Sequence, residues 1–296
     1  MTSGPIAVIG ASGQVASALT RCARRTGQPL IARGHPAADL TDIATVGRFI
    51  DQVRPSIVVN AAAYTAVDKA ESEPEAAFKL NAEGPGKLAV VCTALGLPLI
   101  HISTDYIFDG LSDTPYLEDT PPRPMSAYGA SKAAGESAVK SACEQHIILR
   151  TAWVYGLEGN NFVRTILRLG AERDELGIVA DQFGSPTYAD DIAAAILTIA
   201  AKLAAGDSAS FGTYHFTNSG TATWHQFAEA IFAHAKAAGR KTPEHVKAIT
   251  TADYPTPARR PPNSVLDCAR IERTFAVARP PWRDALARAM PLILKD

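Results

Sequence analysis

The sequence has few cysteines and histidines, and none of them is placed for a disulfide framework or a metal site. The four cysteines are scattered with no Cys-x-x-Cys pair, as expected for buried thiols in a reducing compartment. The seven histidines are also dispersed, so we predict neither a bound metal nor histidine catalysis. These residues are Cys22, Cys92, Cys143 and Cys268, and His35, His101, His146, His215, His225, His234 and His245.

A surplus of charge and a long apolar run are missing too. Lys and Arg number 29 against 30 for Asp and Glu, a formal net charge of −1, so the chain projects no broad field toward nucleic acid or an anionic membrane. No apolar run reaches membrane-spanning length, and no basic segment precedes the first apolar run, Ile6–Ile9. We therefore expect a soluble cytoplasmic protein that acts on small molecules, with no nucleic-acid or membrane partner.

The chain does contain a regular alternation of short apolar runs and longer amphipathic, Ala-rich segments. This rhythm predicts an α/β fold with a doubly wound, Rossmann-like parallel sheet. The predicted strands are Ile6–Ile9, Pro29–Ala32, Ile57–Asn60, Leu99–Ser103 and Ile147–Arg150. The predicted helices are Val15–Arg25, Ile43–Val53, Glu73–Leu80, Gly86–Leu95, Ser131–Ala142, Phe162–Leu169, Asp190–Ala205, Trp224–Ala238 and Trp282–Leu294.

The alternation loosens after about Arg150, which predicts a second, smaller unit. We assign residues 1–152 to an NAD(P)-binding Rossmann domain, with residues 186–215 packing back on it. Residues 153–185 and 216–296 then form a smaller C-terminal substrate-binding lobe. The apolar helix of residues 190–205 should begin at an Asp cap.

A glycine-rich turn follows the first strand directly and opens the first helix. In such a turn the glycines allow a tight bend and a close approach of backbone to a pyrophosphate, which the helix N-terminus faces. The position between strand and helix predicts dinucleotide binding. The turn consists of Gly10, Ala11, Ser12, Gly13, Gln14, Val15 and Ala16.

The spacing Gly-x-x-Gly-x-x-Ala resembles that of the extended short-chain dehydrogenase/reductase family. That resemblance implies a catalytic Tyr-x-x-x-Lys pair downstream, and the chain supplies Tyr128 and Lys132. Residues four apart share a helix face, so the Lys132 ammonium should lower the pKa of Tyr128 toward neutrality and hold the nicotinamide ribose. Tyr128 can then donate a proton to a carbonyl oxygen that receives hydride.

Two further strand ends carry candidate site residues. Thr104 follows the strand Leu99–Ser103, where its hydroxyl can bind the substrate oxygen beside Tyr128, and we assign it as the third catalytic residue. Small residues after Asn60 leave room for a flat cofactor against the backbone. The predicted cofactor wall consists of Ala61, Ala62, Ala63 and Thr65.

The end of the second strand bears on the choice of cofactor. It lacks the Asp or Glu that would hold a free ribose 2′-hydroxyl and presents Arg33 instead, which suits a 2′-phosphate. We therefore expect NADPH, with NADH tolerated. Asp39 and Leu40 are further candidates for the adenine end.

Nearly the whole chain resembles the dTDP-4-dehydrorhamnose reductase family. The resemblance rests on 60–71, 103–110, 128–136, 150–156, 160–162, 179–187 and 258–264. It implies reduction of the 4-keto group of a dTDP-6-deoxy-L-hexulose, which is the last step of dTDP-L-rhamnose synthesis and serves polysaccharide biosynthesis.

The resemblance also implies the substrate site. Thr104 and Asp105 would orient the sugar, Trp153 would form a wall of the sugar site, and two arginines in a Pro-rich loop would clamp the diphosphate. The full set of substrate candidates is Thr104, Asp105, Tyr106, Trp153, Asn161, Phe162, Gln182, Arg259 and Arg260. Some relatives form a magnesium-linked dimer, but the chain offers no acidic cluster beyond Asp190 and Asp191. We predict no required metal and count a homodimer among the possible assemblies.

Four other functions compete with this interpretation. A 4,6-dehydratase would need a Glu where this chain has Tyr106, which argues against it. Another nucleotide-sugar 4-reductase or an epimerase of the same family is not excluded. A non-catalytic regulatory subunit is a further alternative, although Thr104, Tyr128 and Lys132 are all intact.

Overall fold

A six-stranded parallel sheet forms the centre of the computed structural model, which describes residues 4–206 and 210–295. Its order is β10-β5-β4-β3-β1-β2, so the chain leaves β1 toward one edge and returns on its other side as β3. A reversal of this kind opens a crevice at the carboxyl ends of the strands. The strands are β1 (Ile6–Ile9), β2 (Leu30–Arg33), β3 (Ile57–Asn60), β4 (Leu99–Thr104), β5 (His146–Thr151) and β10 (Gly212–His215).

Both faces of the sheet are covered, because alternate residues of each buried strand enter two different cores. Ile6 and Val8 of β1 join one core, while Ala7 and Ile9 join the other. Helices α1 (Gln14–Thr26), α8 (Ala189–Ala204) and α10 (Ala269–Phe275) contribute to the first core. Helices α2 (Ile43–Val53), α5 (Gly84–Ala94) and α6 (Ala127–Ala142) contribute to the second. The predicted doubly wound α/β fold is confirmed.

A third core lies in a smaller lobe beside the carboxyl edge of the sheet, and it includes buried Leu176, Phe227, Trp282 and Leu286. Within residues 4–206 and 210–295, the strands of the lobe form three two-stranded pairs. The strands outside the large sheet are β6 (Val154–Tyr155), β7 (Glu175–Val179), β8 (Phe183–Gly184), β9 (Thr187–Tyr188), β11 (Ala222–Thr223) and β12 (His245–Ile249). The lobe helices are α7 (Phe162–Glu172), α9 (Trp224–Ala237) and α11 (Trp282–Ile293).

The domain boundaries remain a prediction, but two segments differ from what we expected of them. Residues 269–275, which we assigned to the lobe, form α10 and pack on the sheet through Ile271 and Phe275. The apolar helix α8 begins after Tyr188 with no side-chain cap, so the expected Asp cap is wrong. The predicted domains also include residues 1–3, 207–209 and 296, which lie outside the described residues.

The helices predicted at Glu73–Leu80 and Gly86–Leu95 form one continuous helical run. The short helices α3 (Val67–Ala70) and α4 (Pro74–Phe78) are followed by a π-helical segment, Lys79–Glu83, which leads directly into α5. Pro85 lies in the first turn of α5, where a proline is tolerated. Among the helices within residues 4–206 and 210–295, none has the length and apolar character that a membrane span requires.

Candidate active site

A cleft of about 510 Å³ lies at the carboxyl edge of the sheet, between the sheet and the lobe. Many of the residues predicted from sequence line it together. They are Ser12, Gly13, Gln14, Val15, Ala61, Ala62, Ala63, Thr65, Thr104, Asp105, Tyr106, Tyr128, Lys132 and Trp153. Sequence reasoning missed a second group of lining residues: Val67, Ile102, Ser103, Thr151, Ala152, Val154, Gly159 and Asn160. The strand ends at Ser103 and Thr151 were a signal for part of this group.

The glycine turn brings the N-terminus of α1 to the cleft. Gly10 has a φ of +99°, and a Cβ added there would lie 2.9 Å from the Ala62 nitrogen, so this position requires glycine. Gly13 is the N-cap of α1 and provides no side-chain cap. The first N–H groups of the helix are therefore available to an anion in the cleft.

The segment after β3 is held by buried amides. The Asn60 side chain accepts from the Ala62 N–H at 3.1 Å. Asn81, in the π-helical segment, accepts from the Tyr64 N–H at 2.8 Å and donates to the Tyr64 carbonyl at 3.0 Å. Its amide also donates to the Ser131 hydroxyl at 3.0 Å, which ties this cleft wall to α6. Sequence analysis missed Asn81, because its role depends on contacts distant in sequence.

Close packing of α6 on the end of β4 assembles the three predicted catalytic residues. A Cβ at Gly129 would lie 2.1 Å from the Tyr106 carbonyl oxygen, so the helix approaches the chain there as only glycine allows. The Thr104 hydroxyl donates to the Asp105 carboxylate at 2.9 Å and accepts from the Tyr106 N–H at 3.2 Å. Tyr128 and Lys132, one turn apart on α6, line the same cleft as Thr104.

Burial determines the protonation of this group. It raises the pKa of Tyr128 to about 12, opposed by a hydrogen bond with the Thr104 side chain. It lowers the pKa of Lys132 to about 8, opposed by the charge of Glu136. The expectation that Lys132 lowers the pKa of Tyr128 toward neutrality is wrong for this arrangement, because the ammonium donates to the Ile102 carbonyl at 2.7 Å and desolvation of the phenolate dominates. Tyr128 therefore keeps its proton at neutral pH.

The residues predicted for the adenine end are only partly placed for that role. Arg33 is exposed at the end of β2, and its carbonyl accepts from the Gly10 N–H at 2.7 Å, so its side chain begins beside the glycine turn. The Asp39 carboxylate already accepts from the Thr41 N–H at 2.8 Å and contacts His35 at 2.9 Å. Leu40 is buried in the sheet core.

Two of the substrate candidates in the lobe have structural partners. Asn161 caps α7 by accepting from the Arg164 N–H, and it donates to the Gly156 carbonyl. Phe162 packs against Trp224, with the two ring centroids 4.6 Å apart.

The remaining candidates differ in whether their polar groups already have hydrogen-bond or ion-pair partners in the protein. Gln182 is buried, and its amide bonds to Trp224 and Thr251. Arg260 forms a two-pronged ion pair with Asp68, whereas Arg259 is exposed.

The two acidic residues considered for a metal are engaged by arginines. Asp190 pairs with Arg21, and Asp191 accepts from Arg288 at 2.7 Å. Within residues 4–206 and 210–295, no group of three or more His, Cys, Asp or Glu is arranged to hold a metal ion. First-turn carboxylates also suit the N-terminal end of the α8 dipole.

Comparison with known proteins identifies the family of the chain. Residues 4–293 match the family described as RmlD substrate binding domain. A dTDP-4-dehydrorhamnose reductase from Sinorhizobium fredii is 46% identical over 293 residues, which is 98% of each chain. Crystal structures named dTDP-4-dehydrorhamnose reductase superpose with TM-scores of 0.90 for the Clostridium acetobutylicum protein and 0.89 for the Bacillus anthracis protein, the latter in complex with NADP. Each is 36% identical to this chain and covers 98% of it, with 99% of its own length matched.

Proposed function

The chain belongs to the RmlD substrate binding domain family, and on that premise we propose that it is an NADPH-dependent oxidoreductase that reduces the 4-keto group of dTDP-4-dehydro-L-rhamnose to give dTDP-L-rhamnose. One observation carries the proposal: Thr104, Tyr128 and Lys132 line the same cleft as the uncapped N-terminus of α1. A proton donor and an anion-binding helix end thus share one site.

The residues around the glycine turn fit a dinucleotide. The free N–H groups after Gly13 suit a pyrophosphate, and the small side chains from Ala61 to Ala63 leave a flat wall. Arg33 suits the 2′-phosphate of NADPH, NADH being the second expected donor, and the Bacillus anthracis relative in complex with NADP supports this choice. When bound, NADPH supplies the hydride that adds to the carbonyl carbon.

The chain's own residues handle the proton. Tyr128 is protonated at neutral pH because burial raises its pKa to about 12, so it can donate to the carbonyl oxygen as negative charge develops there. Thr104 lies beside it, and its hydroxyl, which donates to Asp105 in the structure, can turn to donate a hydrogen bond to the same oxygen. Lys132 lies one turn along α6 from Tyr128, lines the same cleft and would hold the ribose hydroxyls of the cofactor.

The substrate would lie between the sheet edge and the lobe. Asp105 and Tyr106 would contact the sugar from the end of β4, opposite Trp153. Arg259 is exposed and remains our candidate for the diphosphate. Arg260 is engaged by Asp68 and would hold the loop that carries Arg259.

The test follows the loss of NADPH absorbance when the purified protein is mixed with dTDP-4-keto-6-deoxyglucose, with and without a separate 3,5-epimerase. We expect oxidation only with the epimerase, and the Tyr128→Phe variant should be slower by about 10²-fold or more while it still binds NADPH. Oxidation without the epimerase would assign the substrate to the D-series. NADPH binding without turnover would favour the regulatory-subunit alternative, and tightly retained NAD⁺ would favour an epimerase.

A homodimer remains a prediction. Sedimentation of the purified protein would measure it, once with a chelator and once with added magnesium. A monomer under both conditions contradicts the prediction.

A further inference from the structure

The backbone of Trp153 is strained at the wall of the cleft. Its φ is +48°, in the left-handed region that large side chains rarely adopt. Such a conformation persists only where the surrounding structure enforces it, and it is concentrated at functional sites. The contacts of the Trp153 indole therefore show what holds it in place.

The Cε2, Nε1 and Cζ2 atoms of the indole lie close to a glycine. A Cβ added at Gly184 would lie 2.3 to 2.7 Å from three atoms of the Trp153 ring. No side chain larger than hydrogen leaves room for the ring in this position. Gly184 lies in β8, next to Phe183.

The other main contact is a second indole. Trp153 and Trp224 stack with centroids 3.5 Å apart and planes 5° from parallel. The Trp224 Nε1–H donates to the Gln182 side-chain oxygen at 3.2 Å, and the Gln182 nitrogen donates to the Thr251 hydroxyl at 3.0 Å. This chain of hydrogen bonds fixes the rotation of the Trp224 ring.

One strand pair, β8 with β11, positions both residues that contact the Trp153 ring. Ala222 of β11 pairs with Gly184 of β8, and Thr223 pairs with Phe183. Thr223 also caps α9, whose first residue is Trp224, through a reciprocal capping box with Gln226. The β8–β11 pair therefore positions both Gly184 and, through the start of α9, the Trp224 ring.

We propose that Trp224, together with Gly184 and Gln182, is a positioning unit that fixes the Trp153 ring as a flat wall for the 6-deoxyhexulose ring of the substrate. This inference rests on the proposed function. An indole face suits a sugar ring whose C–H groups and methyl group present an apolar surface. Trp224 is not among the residues that line the cleft, so through its stack on Trp153 it affects the position of the sugar wall and not proton transfer.

The kinetic consequence is specific. Without Trp224 the strained Trp153 backbone can relax and the wall moves. A wall that binds substrate and transition state alike contributes to KM and leaves kcat unchanged. We expect Trp224→Ala and Gly184→Ala each to raise KM for the keto sugar about ten-fold, with kcat within about two-fold and NADPH affinity unchanged. Trp224→Phe keeps an aromatic ring and should recover most of the loss.

Leu286→Ala is the matched control. Leu286 is fully buried in the lobe core, so its loss destabilises the lobe without removing the aromatic stack. It should leave KM within about two-fold. An equal rise of KM in Leu286→Ala would mean that any lobe defect produces the effect, which overturns the proposal.

A second readout does not depend on activity. Two stacked indoles give a coupled circular-dichroism signal, which we expect in the wild type and in Leu286→Ala. It should be lost in Trp224→Phe and in Trp153→Phe, and altered in Gly184→Ala. Absence of the signal in the wild type, or an unchanged KM in Trp224→Ala, overturns the positioning role. A wild type that shows the signal but does not reduce the keto sugar means instead that the proposed function has failed.

Discussion

Tyr128 and Lys132 lie one turn apart on α6, yet burial raises the pKa of Tyr128 and lowers the pKa of Lys132. The reason is that desolvation always disfavours the charged form, which is the phenolate in one case and the ammonium in the other. The result is a protonated tyrosine beside a lysine whose positive charge depends on its neighbours. Glu136, one turn further along α6, is the neighbour that favours the charged lysine.

Glu136 is itself held by a buried ion pair. Arg150 of β5 donates to its two carboxylate oxygens at 2.9 and 2.7 Å and also to the Glu118 carbonyl at 3.0 Å. The side chains of Glu136 and Arg150 are 2% and 1% exposed, so neither charge is solvated by water. Removing Glu136 would leave the Arg150 charge buried without a carboxylate partner, and removing Arg150 would leave Glu136 with Lys140 at 3.7 Å as its cationic partner. Loss of either member of such a buried pair is strongly destabilising.

Asp105 gives a prediction about pH and stability. Burial raises the pKa of its carboxyl from 3.8 to about 6, so between these values the folded chain holds a proton that the unfolded chain has released. Stability due to this group therefore falls as pH rises through that window. Asp105→Asn does not ionise, so its stability relative to wild type should grow by on the order of 2 kcal/mol between pH 4 and pH 7.

Urea denaturation of both proteins across that range measures the effect. Asp253→Asn is the control, because Asp253 is exposed and hydrogen bonds lower the pKa of its carboxyl. The stability of Asp253→Asn relative to wild type should not increase between pH 4 and pH 7. A constant difference between Asp105→Asn and wild type would contradict the prediction.

At the scale of elements, α6 is positioned by close backbone contacts as well as by its apolar face. A Cβ at Gly135 would lie 2.0 Å from the Asn81 carbonyl oxygen in the π-helical segment. The π segment in turn lets the Asn81 amide bond both to Tyr64 and to Ser131 of α6. One irregular turn thus joins the cofactor wall to the catalytic helix, as π segments often do at functional sites.

A pair of glycine variants tests this packing. Gly135→Ala should destabilise the protein by about 2 kcal/mol or more, because the methyl group collides with backbone that cannot move freely. Gly47→Ala should stabilise it by about 0.5 to 1 kcal/mol, because Gly47 lies inside α2 with no atom within 4 Å of an added Cβ. Denaturation midpoints measure both changes in stability. If both variants were stabilised, helix propensity alone would decide the effect and the packing argument would fail.

At the scale of the whole molecule, α8 joins the sheet to the lobe. Asp190 pairs with Arg21 of α1, on the sheet. Asp191 accepts from Arg288 of α11 at 2.7 and 2.9 Å and from the Asn218 amide at 2.7 Å. Two successive carboxylates in the first turn of one helix therefore bind a helix of the sheet domain and a helix of the lobe.

We expect Asp191→Ala to loosen the lobe before the sheet. The loss of a nearly buried carboxylate with two partners should cost about 2 kcal/mol and increase amide hydrogen exchange in α11 more than in α5. The exposed lobe carboxylate Asp174, paired with Lys241, provides a control, because Asp174→Ala should cost about 0.5 kcal/mol or less. Equal changes of exchange in α5 and α11 would show that α8 does not link two separable parts.

Much of the fold could be predicted because it depends on local pattern. Apolar runs of strand length and amphipathic helices between them define the doubly wound sheet, and the glycine turn identifies its dinucleotide edge. The predicted first and last residues of β1, β3 and α2 agree with the structure, and those of β2, β4 and β5 agree to within one residue. The residues grouped in the cleft from the turn, from β3, from β4 and from α6 all follow strand ends or lie on one helix face, which the sequence can show.

Five of the six strands of the sheet, the glycine turn and the spacing of Thr104, Tyr128 and Lys132 could therefore be read from the sequence, because these depend on neighbours in the chain. The sixth strand, β10, was not predicted. Only the tertiary structure decided the direction of the Tyr128 pKa and the position of Asn81 between two elements. It alone decided the stack of Trp153 on Trp224 and the pairing of Arg260 with Asp68. Burial and contacts between distant segments are properties of the assembled chain, so no local pattern carries them.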